Sequence, residues 1–293
     1  MGNYGFILFG LAMFQCLGVS TPRRSIEEKR FQESRGTPMH KVQLTQKGYI
    51  QFLRWELAVP EIAEFTFCLW MESNDLAHAH PIFSYSKEEK DRLVRSWISP
   101  RGRSIHLEIG GRRVLAASVD ILENRWYHLC LSWENQAGRY GLWVNGQLQA
   151  EGRSDETRSH AIPGGGDIVL GQEYTDFDKG LDDGIEGSVF GFNLLLASAF
   201  EPLDRREEPF ASSYATGATE QRGIDYRISN EPRDPEEQPL GYRLVKLSYV
   251  RCEIGRGSPF IGGPLMLISW TRTPVRMFGG ATLKNADNDC GNF

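Results

Sequence analysis

Long apolar runs are scarce in this chain. The stretch Gly5–Phe14, followed by Gln15-Cys16-Leu17-Gly18-Val19-Ser20, is too short to span a bilayer and ends in small residues. It predicts a signal peptide over residues 1–20, and therefore a secreted, extracellular protein with no membrane insertion. Cys-x-x-Cys spacing is missing, which speaks against a zinc site. Asn-x-Ser/Thr is missing too, so N-glycosylation is not expected. A strong charge of either sign is also lacking. The formal net charge is −5, and residues 201–240, with ten acidic and five basic side chains, account for all of it. The balanced remainder argues against nucleic acid or anionic membrane as a partner.

Cysteines are few. Removal of the leader takes Cys16 and leaves Cys68, Cys130, Cys252 and Cys290, an even number that implies pairing in a secreted chain. Four cysteines allow three connectivities. Cys68–Cys130 and Cys252–Cys290 are favoured, because each links adjacent predicted strands or a strand and the tail.

Short strands separated by turn signals fill the chain from Lys41 to about Leu196. Trp126-Tyr-His128-Leu-Cys130-Leu-Ser132-Trp133 and Phe65-Thr-Phe67-Cys68-Leu-Trp70 have matched alternation and one cysteine each, as in a sandwich stapled by a disulfide. Asn145-Gly146 between two such runs predicts a type I′ hairpin. Residues 21–37 are charged and poor in apolar side chains, a disordered leader. A single domain is expected over 38–290, with an insertion at 200–262. Within that insertion, Gly241–Val250 is expected to be a strand with Val245, Leu247 and Tyr249 on one face. Closing strands are expected near Leu265–Trp270 and Pro274–Phe278.

His128-Leu-Cys130-Leu-Ser132-Trp133-Glu-Asn135 resembles the pentraxin signature His-x-Cys-x-Ser/Thr-Trp-x-Ser/Thr, with Asn135 replacing the last hydroxyl. The likeness extends through Ile82–Ser86, Gly141–Gly146 and Leu170-Gly171-Gln172-Glu173, and returns at Leu267-Ile268-Ser269-Trp270. It implies an all-β, two-sheet antiparallel jelly-roll sandwich of the concanavalin A/laminin-G-like kind. It also implies Cys68–Cys130 as the family bridge, a calcium-dependent pattern-recognition lectin of innate immunity, and a homo-oligomer, a pentamer by resemblance.

Calcium takes six to eight oxygens, several of them carboxylate, from a loop able to wrap the ion. Residues 173–186 hold six carboxylates and two glycines. Carried over by resemblance, the metal ligands are Glu173 as the bridging carboxylate, the Tyr174 carbonyl, Asp176, Asp182 and Asp183, with Asp91 from a separate loop. Arg92, beside Asp91, cannot ligate and places a cation next to the site. In the ligand pocket Trp97 stands as an aromatic wall, while Arg113 falls where phosphocholine binders carry a glutamate. That reversal disfavours phosphocholine. With Arg112 and Arg92, it suits an acidic sugar, phosphate or sulfate. The expected partner is an extracellular glycan, a phosphate-bearing surface or a protein.

A calcium-independent adhesion module, with the sandwich as scaffold and residues 200–262 carrying partner binding, is the alternative. A laminarinase-like glycoside hydrolase is more remote. Its Glu-x-Asp-x-(x)-Glu strand pattern is absent, and no Ser/His/Asp or Cys/His arrangement stands out, so no enzyme is expected. His78 and His80 are read as a surface turn before Pro81, and His128 as a core histidine.

Overall fold

Two strands buried on both sides set the architecture. In Glu64–Ser73, Phe65, Phe67, Leu69 and Met71 enter the main core, while Thr66, Cys68 and Trp70 point the other way and are also buried. Trp126–Glu134 does the same, with Leu129, Leu131 and Trp133 inward and His128, Cys130 and Ser132 outward. Such runs belong in the middle of a sheet that is covered on both faces. The protein, seen in a computed structural model, is described over residues 38–44, 50–87, 91–173, 184–202 and 238–293.

Numbered in chain order, one sheet runs β10 (Gln147–Arg153), β9 (Arg139–Val144), β8 (Trp126–Glu134), β3 (Glu64–Ser73), β12 (Gly187–Leu195), β1 (Met39–Leu44) and β15 (Thr282–Ala286). β13 (Met266–Ile268) pairs with the end of β12. The other sheet runs β14 (Arg276–Phe278), β2 (Phe52–Trp55), β11 (Asp167–Leu170), β4 (His80–Lys87), β5 (Asp91–Ile98), β6 (Ser104–Ile109) and β7 (Arg112–Ser118). This is the antiparallel jelly-roll sandwich that the sequence pattern and the family resemblance implied. Its core interleaves Trp55, Phe65, Phe67, Phe83, Trp133 and Phe192 between the sheets. Asn145 and Gly146 both have positive φ, at 50° and 74°, as the β9–β10 hairpin turn requires.

Both favoured disulfides form. Cys68 and Cys130 are direct partners on neighbouring β3 and β8, so the staple lies within one sheet rather than between sheets.

Residues 240–250 are a correction. They form helix α1 (Leu240–Val250), not a strand. Gly241, Leu244, Val245 and Ser248 are its buried positions, a 3.6-residue period that a period-two count on Val245, Leu247 and Tyr249 passes over. The helix covers the outer face of the β3–β8 sheet: Leu244 and Val245 pack with Cys68, Cys130 and Trp143, and Trp70 Nε1 donates to the Ser248 carbonyl at 2.9 Å. His128, wholly buried as expected of a core histidine, bonds through Nε2 to Ser248 Oγ at 2.8 Å. His80 departs from the surface-turn expectation. It opens β4 fully buried, with Nε2 at 2.7 Å from Ser73 Oγ. Only His78, partly buried in the preceding bend, belongs to a turn.

Candidate functional site

With α1 on one sheet, the outer face of the other is left uncovered by any helix among the described residues. On β5 the residues turned that way include Arg95 and Trp97, both partly exposed between buried Val94, Ser96 and Ile98. Cross-strand rows extend the face. Ser84, Arg95, Glu108 and Arg113 lie in one row across β4, β5, β6 and β7, and Pro81, Trp97, His106 and Ala116 lie in another.

Strict alternation would put Arg92 and Arg95 on opposite faces, three residues apart. A bulge prevents it. Tyr85 pairs with Val94 and Ser86 with Arg92, which leaves Leu93 as an extra residue on β5. Both guanidiniums then reach the same carboxylate, that of Glu173. Arg95 Nε donates to Glu173 Oε1, and Arg92 Nη2 lies 3.4 Å from Oε2. Glu173 is 2% exposed, and a carboxylate so buried is tolerable only when paired.

Glu173 is delivered there by the turn after β11. Gly171 has φ 96°, a left-handed backbone conformation that favours glycine. Its N–H bonds the Pro81 carbonyl at 3.2 Å, its carbonyl accepts from Ile185 N at 3.0 Å, and Gln172 is buried beside it.

Arg95 is held from a second side. Its guanidinium carbon is 4.2 Å from the Trp97 ring centre, and Trp97 stacks on His106 at 4.7 Å and 6°. His106 Nε2 lies 2.7 Å from Ser104 Oγ, which in turn donates to Ser99 Oγ at 2.8 Å. Burial lowers the His106 pKa below its ordinary value, and the positive charges of Arg113 and Arg95 push the same way against Glu108. The imidazole is thus biased towards its neutral form within a cationic platform.

Among the expected site residues, Trp97, Arg113 and Glu173 share this face. Arg113 stands exposed near its rim, opposite Glu108 on β6, and Arg112 Nη1 donates to the Glu156 carbonyl at 3.0 Å. Asp91 opens β5 as an exposed residue opposite Lys87. Tyr174, Asp176, Asp182 and Asp183 lie outside the described residues. Arg95 and His106 were missed by sequence reasoning. The one available signal was Arg95-Ser96-Trp97, an arginine two positions from an aromatic on a strand.

The described geometry does not fit calcium at Glu173. A bound ion needs carboxylate oxygens at about 2.3–2.6 Å. Among the described residues, Oε1 accepts from Arg95 and Oε2 lies 3.4 Å from Arg92 Nη2, so an ion would have to compete with two guanidiniums for this carboxylate.

A model of the Pentaxin family matches residues 44–191. Pentraxin-related protein PTX3 of Mus musculus is 30% identical over 141 residues, 46% of this chain and 36% of that protein. Pentraxin-4 of Homo sapiens is 32% identical over 167 residues, 55% of this chain and 34% of that protein. The chain therefore spans about a third of the length of these relatives. Among solved structures, the native heptameric SAP-like pentraxin of Limulus polyphemus matches with a TM-score of 0.59 at 16% identity, covering 86% of this chain and 97% of that one. At that identity the likeness shows the fold.

Proposed function

The chain belongs to the pentaxin family, and from that premise we propose that it is a secreted, non-enzymatic recognition protein that binds anionic groups on extracellular glycans or phosphate-bearing surfaces. The observation that carries this reading is the Arg95 guanidinium, fixed between Glu173 and the Trp97 ring on the open face of the sandwich. With Arg92 beside it and Arg113 in the same cross-strand row as Arg95, the face offers planar cations next to an aromatic surface. Arg113, exposed at the rim, is the guanidinium placed to pair with carboxylate, phosphate or sulfate, and Arg92 and Arg95 add positive charge behind it.

Calcium dependence, which the family resemblance implies, has weaker support, because Glu173 is engaged by arginines. Direct binding to the arginine face is the better-supported mode. The glycoside hydrolase alternative is weakened by the same pairing, since a catalytic carboxylate must reach the sugar. No helix among the described residues is long and apolar enough to cross a membrane, a statement that leaves β-barrels aside. We also propose self-association into a closed homo-oligomer, in keeping with a relative described as heptameric. Sedimentation of the native chain measures it.

The test is binding to immobilised dextran sulfate, with uncharged dextran as the control. Saturable, salt-sensitive binding to the sulfated polymer is expected. Equal retention on both, or on neither, would remove the proposal.

A further inference from the structure

We infer that Arg92 and Arg95 together replace a metal ion at Glu173, so that this end of the sandwich is assembled without calcium. The inference takes from the family reading only the expectation of a cation at this position, and it does not depend on the ligand proposed above.

Two guanidiniums carry the same formal charge as one calcium ion. They meet the carboxylate from the sheet itself, through backbone that has been rearranged to allow it. The bulge that skips Leu93 turns Arg92 outward alongside Arg95, and without it one of the two arginines would point into the core. The backbone that leads to Glu173 is held at the Gly171 turn, whose N–H and carbonyl bond Pro81 and Ile185. Arg95 is further immobilised by Trp97, itself stacked on His106. Arg95 and the turn that leads to Glu173 are thus held by contacts other than the ion pair. That arrangement is a built site and not a chance meeting of long surface side chains. Arg92 and Arg95 side chains are 33% and 23% exposed against 2% for Glu173, so the charge that needs compensation is the buried one, and the cations reach it from the solvent side.

A metal site and a guanidinium site respond differently to chelation. Thermal unfolding of the native chain and of Glu173→Gln is followed in millimolar calcium and in EDTA. The native melting temperature is expected to be the same in both media, and Glu173→Gln to melt several degrees lower in both, by the same amount. A calcium-induced rise in the native chain that Glu173→Gln abolishes overturns the inference. Should the variant fail to fold, crystals of the native chain grown in calcium decide instead. Guanidinium nitrogens against both Glu173 oxygens support the replacement, and an anomalous calcium peak within ligand distance of that carboxylate overturns it. Failure of the dextran sulfate experiment bears on the ligand and leaves this outcome untouched.

Discussion

Two buried histidines make the stability of this molecule depend on pH. Burial lowers the His128 pKa to about 3 and that of His80 to about 4, since imidazolium is poorly accommodated away from water. Both values lie below the ordinary 6.5 of the unfolded chain, so unfolding takes up protons. The stabilisation is therefore complete above about pH 6.5 and is lost as pH falls towards the folded-state values. By pH 5 each histidine is expected to cost about 2 kcal/mol. Urea unfolding at neutral pH and at pH 5 measures it, and a flat profile would contradict the burial of both rings. At the ligand face, Arg113→Glu is expected to abolish dextran sulfate binding with little change in melting temperature, because Arg113 is exposed at the rim. Trp97→Ala is expected to weaken binding and also to lower the melting temperature, because the ring supports both Arg95 and His106. Trp97 and Arg113 were singled out through the family resemblance, and the structure places both on the face that carries Arg95, with Arg92 beside Glu173. Arg95 was not, because its role depends on a bulge that alternation cannot reveal. His80 was misplaced for a similar reason, since its partner Ser73 meets it only after the chain has turned between β3 and β4.

Strands β3 and β8 were visible as elements because aromatic and aliphatic side chains line one face of each, with a cysteine and a tryptophan on the other. Nothing in that pattern says what covers the second face. The answer is α1, where Val245, Leu247 and Tyr249 satisfy a period of two when the segment is read by itself, although the buried positions are Gly241, Leu244, Val245 and Ser248. The period was ambiguous over so short a stretch, and the sheet beneath decided it. The Cys68–Cys130 link lies under this helix and closes a sequence separation of 62 residues. In the chain-entropy account a loop of that size is worth roughly 4 kcal/mol. Cys68→Ala/Cys130→Ala is expected to lose about that much in chemical unfolding, with an unchanged slope against denaturant. A loss below about 1 kcal/mol would mean that the unfolded chain is already constrained.

At the scale of the molecule, the two sheets divide the labour. One is sealed by α1 and the disulfides, and the other presents arginines and an aromatic ring to solvent. The strands were legible because alternation is a local signal, whereas the jelly-roll class came from the family resemblance and the two cysteine pairs were only the favoured choice among three connectivities. The chemistry of the open face was less so. An acidic loop after Gln172 suggests a metal, whereas the first of its carboxylates is neutralised by arginines about 80 residues earlier in the chain. Charge compensation across such distances has no signature in any window of sequence. The account rests on cations supplied by the protein itself, and the most direct measurement is the affinity of the native chain for dextran sulfate in calcium and in EDTA. The predicted result is the same dissociation constant in both media. Binding that appears with calcium and vanishes on chelation would contradict it.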